Sequence, residues 1–471
     1  MTYSAHGETA PRFFGRELRS LIATYAVVVG GPLAATGLAC YLGSRFFAAA
    51  SSPSSQVLDM PAEPRPLLEL LVALTAILLV SRVFGALFAR LGQPRVLGEI
   101  VAGIALGPSV FGAVAPTVAE RLISPSVLGP LASIGELGLI LFMFLVGLEF
   151  DLGLVRRKGH VALLVSHTSI CLPFLGGVVL GLGSYALWYQ DVVPFLPFVL
   201  FMGLAMSVTA FPVLTRILRD RNLHTTSLGA LAVACAAADD ITAWCLLAAL
   251  LGYANSEPGA GLASIAGALL FCATMWGVVR PLLQRLSASG AASLGTLLLG
   301  LFCSALAAEW VGIHAFFGAF LFGLCVPRDA LSAEQLTGKL QDVTGTLLMP
   351  AFFVISGMRT EFGTLQEFDG WLLCGLVVAV AAAGKLIGTI VPARLAGLDW
   401  NESVRLGILM NTRGLMEIVI ANIALDCGII PPQMFTVLVV MALATTFATG
   451  PLLNLTERWS KQIPRAARTS S

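Results

Sequence analysis

The sequence predicts an all-α polytopic membrane protein, and three observations lead there. Apolar runs of about twenty residues, the length a helix needs to cross a bilayer, recur from one end of the chain to the other. Hydrophobic residues make up 57% of the 471 and charged residues 12%, about half the charged share of a soluble domain. Lys and Arg gather in alternate connections, as the bias of basic residues toward cytoplasmic loops requires.

In chain order the spans fall near residues 20–42, 66–89, 95–113, 130–150, 160–184, 193–215, 227–253, 262–283, 291–308, 311–327, 343–358, 371–397, 403–425 and 432–455. The first follows a basic segment and precedes Ala48-Ala49-Ala50, as a secretory signal would. Its apolar length of about 23 residues exceeds the roughly 7–15 of a signal core, so a retained helix is expected. A loop with Pro53, Pro61, Pro64 and Pro66 sets it apart, giving three regions: an N-terminal extension at 1–65, a transmembrane domain at 66–455 and a short tail at 456–471. Gly, Pro and Ser interrupt the short runs near 311–327 and 343–358.

The charges supply orientation. Arg12, Arg16 and Arg19, the cluster Arg156-Arg157-Lys158, the trio Arg216, Arg219 and Arg221, and the tail's Arg458, Lys461, Arg465 and Arg468 fall on one side. Arg45, Arg65, Arg121 and Arg359 fall on the other. Both termini are therefore expected in the cytoplasm. With no transit-like N-terminus and no large soluble tail, a bacterial inner membrane is the expected location. Lys385 and Arg413 belong to neither set, because they lie deep within spans.

Several function classes are excluded or disfavoured. No Gly-rich dinucleotide fingerprint or phosphate loop is present, so nucleotide hydrolysis is not the energy source and coupling to an ion gradient remains. Nine cysteines are scattered without Cys-x-x-Cys spacing and are expected to act as small apolar residues. The five histidines are equally dispersed. His314, inside a span, is open to a structural role or a proton relay.

The chemistry concentrates at Cys235-Ala-Ala-Ala-Asp239-Asp240-Ile-Thr242-Ala-Trp244, in an apolar span. An Asp at a helix centre costs roughly 2.5–3.5 kcal/mol on insertion scales, so such residues usually face a bundle interior or aqueous cavity and handle ions or protons. Successive helical residues diverge by about 100°, so the two aspartates cannot do the same job. One is expected to hold a cation or proton while the other meets a partner on a neighbouring helix. Competition between proton and cation for one carboxylate is what proton-coupled cation exchange needs; the alternative is two aspartates paired structurally with basic residues.

The preceding span carries Ser207-Val208-Thr209-Ala210-Phe211-Pro212. Its proline removes a backbone donor and predicts a broken helix, or else an ordinary kink. In a broken helix Ser207 and Thr209 are candidate oxygen ligands. A matching interruption, Met410-Asn411-Thr412-Arg413-Gly414-Leu415-Met416-Glu417, suggests an inverted repeat. Arg413 and Glu417, spaced i,i+4, either neutralise one another or take part directly. Lys385 has no acid nearby on its own helix. Its candidate partner is Asp239, with snorkelling to the interface as the alternative.

These segments, with Gln93-Pro94-Arg95-Val96-Leu97-Gly98-Glu99-Ile100-Val101-Ala102-Gly103 and Ile313-His314-Ala315-Phe316-Phe317-Gly318-Ala319-Phe320, resemble the monovalent cation:proton antiporters: plant CHX-type and bacterial Kef- and NapA-type exchangers. The resemblance covers about residues 66–455. It implies an NhaA/NapA-like inverted-repeat antiporter fold of thirteen helices with two crossed broken helices, the helix at 20–42 being an addition. It also implies a homodimer in membrane lipid that exchanges Na+ or K+ for protons by alternating access. No cofactor, resident metal, covalent catalysis or nucleic-acid partner is implied.

By the same resemblance Asp240 is the carboxylate that binds the transported cation or a proton, and Asp239 is the preceding position that pairs with Lys385. Thr209 lies at the first crossover, and Asn411, Thr412 and Arg413 at the second. Many CHX- and Kef-type members carry Asn or Gln where this chain has Asp239. The Asp-Asp pair with Lys matches NapA-type exchangers and implies two protons per cation, one released from Lys385 or Asp239. The Kef-type nucleotide-binding domain has no counterpart in the sequence, so no gating by nucleotide is expected. A gated cation-efflux channel or a transport-silent sensor on the same scaffold is the alternative function.

Overall fold

A bilayer core offers no water to unpaired backbone groups, so each apolar run must satisfy its own hydrogen bonds, which a helix does. The computed structural model describes residues 66–462 other than 150–158, 190–191, 224, 255–260, 290–292, 313, 328–337, 339 and 366–367. The expected first helix and Pro-rich loop, the Arg156-Arg157-Lys158 cluster and the end of the tail lie outside the described residues.

The spans are α1 (Pro66–Arg90), α2 (Arg95–Leu106), α3 (Pro125–Glu149), α4 (Gly159–Ser184), α5 (Phe195–Ser207), α6 (Phe211–Asp220), α7 (Ser227–Ala254), α8 (Gly261–Thr274), α9 (Leu294–Val311), α10 (Ala315–Cys325), α11 (Met349–Met358), α12 (Phe368–Leu395), α13 (Trp400–Met410), α14 (Leu415–Asp426) and α15 (Pro432–Gln462). All thirteen spans expected from residue 66 onward coincide with helix. Among the described residues, eleven helical stretches are long and apolar enough to cross a membrane. The other two expected spans are the short α10 and the interrupted pair α13 and α14.

Prolines explain most of the irregularities. A π-turn at Met275–Val279 precedes Pro281, and another at Thr344–Leu348 precedes Pro350. A proline has no N–H to donate to the carbonyl four residues back, and a wider turn absorbs the missing bond. The span expected at 95–113 is helical to Leu106 and stops at Gly107-Pro108, after which a short turn of helix occupies Phe111–Val114.

Packing divides the spans into two groups. Helices α1, α2, α3, α9, α10 and α11 lean on one another, whereas α4, α5, α7, α12, α13 and α15 form a second bundle. Within the second bundle the order long helix, broken helix, long helix occurs twice: α4, α5 with α6, and α7; then α12, α13 with α14, and α15. Four crossings, α8 to α11, lie between the triplets, so equivalent helices run in opposite senses, and this is the inverted-repeat antiporter fold.

Lipid-embedded helices gain little from hydrophobic burial against one another and instead pack closely through small residues. At the centre of the repeat, α12 lies against α4 through two glycines. A Cβ on Gly384 would stand 2.8 Å from the Cα of Pro173, and one on Gly388 would stand 2.7 Å from the carbonyl oxygen of Thr168. This approach fixes the depth of Lys385, the residue after Gly384.

Candidate functional site

The two interrupted spans meet in the second bundle. Residues Val208 and Ala210 are extended, with φ −72° and ψ 137° at Val208 and φ −80° and ψ 90° at Ala210. Pro212 then sits at the start of α6, where its missing N–H costs nothing. On the other side Gly414 takes φ 134°, a conformation open to glycine, and α14 begins at the next residue. The extended pieces touch: the Ala210 N–H donates to the Thr412 carbonyl at 2.9 Å, and Thr209 Oγ1 lies 3.0 Å from the Met410 carbonyl.

Two cations cover the carbonyl end of α5, where an α-helix leaves its last acceptors unpaired and carries partial negative charge. Arg413 donates from Nη1 to the Ala205 carbonyl at 2.9 Å and from Nη2 to the Met206 carbonyl at 2.5 Å. It also reaches the Ala381 carbonyl on α12 at 3.3 Å. Lys385 Nζ takes the Ser207 carbonyl at 2.6 Å.

Lys385 also forms the predicted ion pair: its Nζ lies 2.8 Å from Asp239 Oδ2, with both side chains fully buried. The remaining capacity of that carboxylate is occupied by hydroxyls. Ser166 Oγ donates to Oδ1 at 2.6 Å, Ser169 Oγ lies 3.2 Å from Oδ2, and Thr209 Oγ1 lies 2.9 Å from Oδ2. Ser166 and Ser169 were not among the sequence candidates. Their signal was weak, two hydroxyls one turn apart in the apolar α4, a helix with no other feature of interest.

Asp240 is held differently. Its carboxylate accepts a hydrogen bond from the backbone N–H of Phe211, at the positive end of α6. Oδ1 of the same side chain is buried without a hydrogen-bond partner. Asn411 Oδ1 and Thr412 Oγ1, at the second break, are buried and unpartnered too. The adjacent aspartates thus occupy opposite states, one saturated and one with an oxygen to spare.

The other candidates fall as follows. The Ser207 hydroxyl turns to the carbonyls of Gly203 and Ile170, at 2.7 and 3.2 Å, so this residue meets the site through its backbone oxygen. Arg413 approaches Glu417 only to 3.8 Å, and neither Glu417 oxygen has a hydrogen-bond partner. The guanidinium therefore serves the α5 carbonyls more than it serves the acid predicted to neutralise it. His314 caps α10 with φ 70°, its ring 4.3 Å from that of Phe316 and its Nδ1 unpartnered.

Cavities approach from both ends. One of about 380 Å³ carries Glu99, Arg216 and Arg219 and reaches Phe211, the residue whose N–H holds Asp240. The other, about 560 Å³, carries Glu136, Glu309, His314, Arg359 and Asp426. Asp239 and Asp240 line neither.

This arrangement has relatives. The sodium/hydrogen exchanger transmembrane family model matches residues 71–456. The chain belongs to that family. Among its relatives, the Na(+)/H(+) antiporter NhaS4 of Synechocystis is 41% identical over 397 residues, which make up 82% of this chain and 97% of that protein. The Cation/H(+) antiporter 20 of Arabidopsis thaliana is 38% identical over 405 residues, 81% of this chain but 48% of the plant protein. The chain thus spans nearly all of the first relative and about half of the second. In fold it is similar to the sodium proton antiporter MjNhaP1 of Methanocaldococcus jannaschii, with a TM-score of 0.61 at 14% identity over 84% of this chain and 97% of that one.

Proposed function

We propose that this protein is a secondary active transporter that exchanges a monovalent cation, Na+ or K+, for protons by alternating access. The observation that carries the proposal is the asymmetry of the aspartate pair. Asp239 has hydroxyl donors and an ammonium on its oxygens, whereas Asp240 has a buried oxygen with no partner. A carboxylate in that condition takes either a proton or a cation, since each satisfies the spare oxygen and neutralises the buried charge.

In this reading Asp240 is the exchange site, and Thr209, Asn411 and Thr412, at the two helix breaks, are neutral oxygen donors suited to a hard cation. The Ser207 carbonyl holds Lys385 in place. The Asp239–Lys385 pair and Arg413 balance the charge of the crossed half-helices beside Asp240. Phe211 forms part of the wall between the arginine-lined cavity and Asp240, which makes that cavity the route to the cytoplasm. The chain works as a homodimer in a bacterial inner membrane, with both termini cytoplasmic and lipid as its surroundings.

Purified protein in liposomes, loaded with a pH dye and given Na+ or K+, tests the proposal. Wild type moves protons when one of the ions is added, and Asp240→Asn does not. Cation flux without proton movement would indicate a channel on this scaffold instead. Absence of any response to either ion gradient would favour a sensor.

A further inference from the structure

We propose that the recess between the α1–α2 turn, the end of α6 and α15 binds a phosphate-bearing anion, which fastens the two helix groups to each other. The site lies apart from the aspartates and the crossed breaks. Only its consequence for exchange rests on the antiport reading above.

The recess, about 450 Å³, is lined by Gln93 of the α1–α2 turn, Arg95 at the start of α2, Arg216 on α6, Arg221 just after it, and Gly450 on α15. No carboxylate is among the described residues that line it, and Glu99 opens instead to the adjoining cavity. The bias of basic residues toward the cytoplasmic side accounts for arginines at this end of the helices. It does not account for three of them around one recess, where like charges oppose one another.

The walls are held in place by α15. Arg221 donates from Nη1 to Asn454 Oδ1 at 2.7 Å and from Nη2 to the Gly450 carbonyl at 3.0 Å. The buried Gln93 donates from Nε2 to the Phe447 carbonyl at 3.2 Å. Gly450 keeps the space between them open, because a Cβ there would stand 3.3 Å from Gln93 Nε2 and 3.6 Å from Arg221 Nη2. The twelve-residue α2 begins at Arg95, directly after Pro94, and no side chain caps it. Its first N–H groups have no acceptor within the helix, and a helix start favours negative charge.

These features select the chemistry of the ligand. A carboxylate is planar and suits a single guanidinium fork, whereas a phosphate presents acceptor oxygens on several sides and can be met by several forks and a helix start together. A lipid headgroup and a free phosphate offer the same oxygens. Arg95 belongs to the first helix group and Arg216 and Arg221 to the second bundle, so an anion held by all three bridges parts that alternating access must move past one another. Exchange is slowed while the anion is bound.

Binding is read from the unfolding midpoint of the purified full chain in detergent. One arm titrates Tris phosphate against Tris chloride at matched ionic strength, so that no transported cation varies. The other adds phosphatidylglycerol or, for comparison, phosphatidylcholine to the micelles. Wild type is expected to be stabilised saturably in at least one arm: by phosphate if the ligand is free, by phosphatidylglycerol alone if it is a lipid. In Arg95→Gln the half-saturating concentration rises about tenfold or more, the factor for losing a charged hydrogen bond. Arg90→Gln, which removes an exposed charge outside the recess, matches wild type. Stabilisation in neither arm overturns the inference, as does equal weakening by Arg90→Gln and Arg95→Gln. If Arg95→Gln does not fold, Arg216→Gln carries the same expectation for binding. Isotope flux of the transported cation in liposomes reads the consequence: the saturating anion slows wild type several-fold and Arg95→Gln much less. An unchanged wild-type flux overturns the fastening. A wild type that moves no cation overturns the antiport reading, and the midpoints still decide the site.

Discussion

The backbone N–H of Ala210 donates to the carbonyl of Thr412 at 2.9 Å, so the two broken spans are joined main chain to main chain at their crossing point. The Thr209 hydroxyl, lying between Asp239 and the Met410 carbonyl, adds a side-chain link beside it. Thr209→Val keeps the shape and loses the hydroxyl. It is expected to cost about 1.5–3 kcal/mol, the range for a hydrogen bond to a charged group, and to slow transport. Thr209→Ser retains both properties. Thermal unfolding in detergent and the liposome assay check the two effects side by side.

Removing one member of the buried Lys385–Asp239 pair strands the other. Lys385→Ala is expected to destabilise the protein by about 3–5 kcal/mol, because Asp239 is left as an uncompensated anion with hydroxyl donors only. Adding Asp239→Asn should recover part of that loss. A double-mutant cycle on unfolding midpoints measures the coupling, and additive losses would show that the pair is energetically independent.

Gly384 tests the packing that places the lysine. An alanine there brings its Cβ to 2.8 Å from the Cα of Pro173, inside ordinary contact distance. Backbone atoms cannot turn aside as a flexible side chain can, so α12 must shift off α4. Gly384→Ala is expected to lower both thermal stability and transport rate, and Gly375→Ala, on the same helix with open space around it, to leave both unchanged.

Competition at Asp240 predicts a pH dependence of definite sign. A proton and a cation that share one carboxylate make the apparent KM for the cation rise as pH falls, by about tenfold per unit where the site is mostly protonated. The maximal rate at saturating cation is expected to change far less. Initial rates over a grid of pH and cation concentration decide this, and a KM independent of pH would separate the two binding events.

Arg359 and Asp426 form an ion pair at 2.9 Å, with side chains 35% and 55% exposed, between the end of α11 and the end of α14. Exposed pairs of this kind contribute about 0–1 kcal/mol. Arg359→Gln is therefore expected to leave the unfolding midpoint nearly unchanged. Because the pair joins the two helix groups, the substitution should speed reaction of the exposed Cys427 with an impermeant maleimide.

Legibility in the sequence followed the physics of each feature. Spans were readable because the bilayer demands length and apolarity of every one. The first break was readable because Pro212 cannot complete a helix, and the second because Asn411, Thr412, Arg413 and Gly414 interrupt an apolar run. Lys385 pointed to a distant acid because its own helix supplies none. Ser166 and Ser169 were hidden, since serine is common in membrane helices and only the fold brings these two to Asp239. The α5 carbonyls that Arg413 and Lys385 cover were hidden more deeply, because every residue has a carbonyl and composition does not mark which are unpaired. The sequence boundary at 311–327 overran α10 because an apolar flank looks the same whether or not it is wound.

The lysine at the centre of this protein grips a main-chain oxygen at Ser207 as well as a side chain at Asp239. No substitution at either position removes that oxygen. A descendant that exchanged Asp239 for a neutral residue would still find its lysine tethered, ready to be neutralised some other way. The architecture can therefore drift between charge balances, and between the ion economies they support, without first dismantling the site.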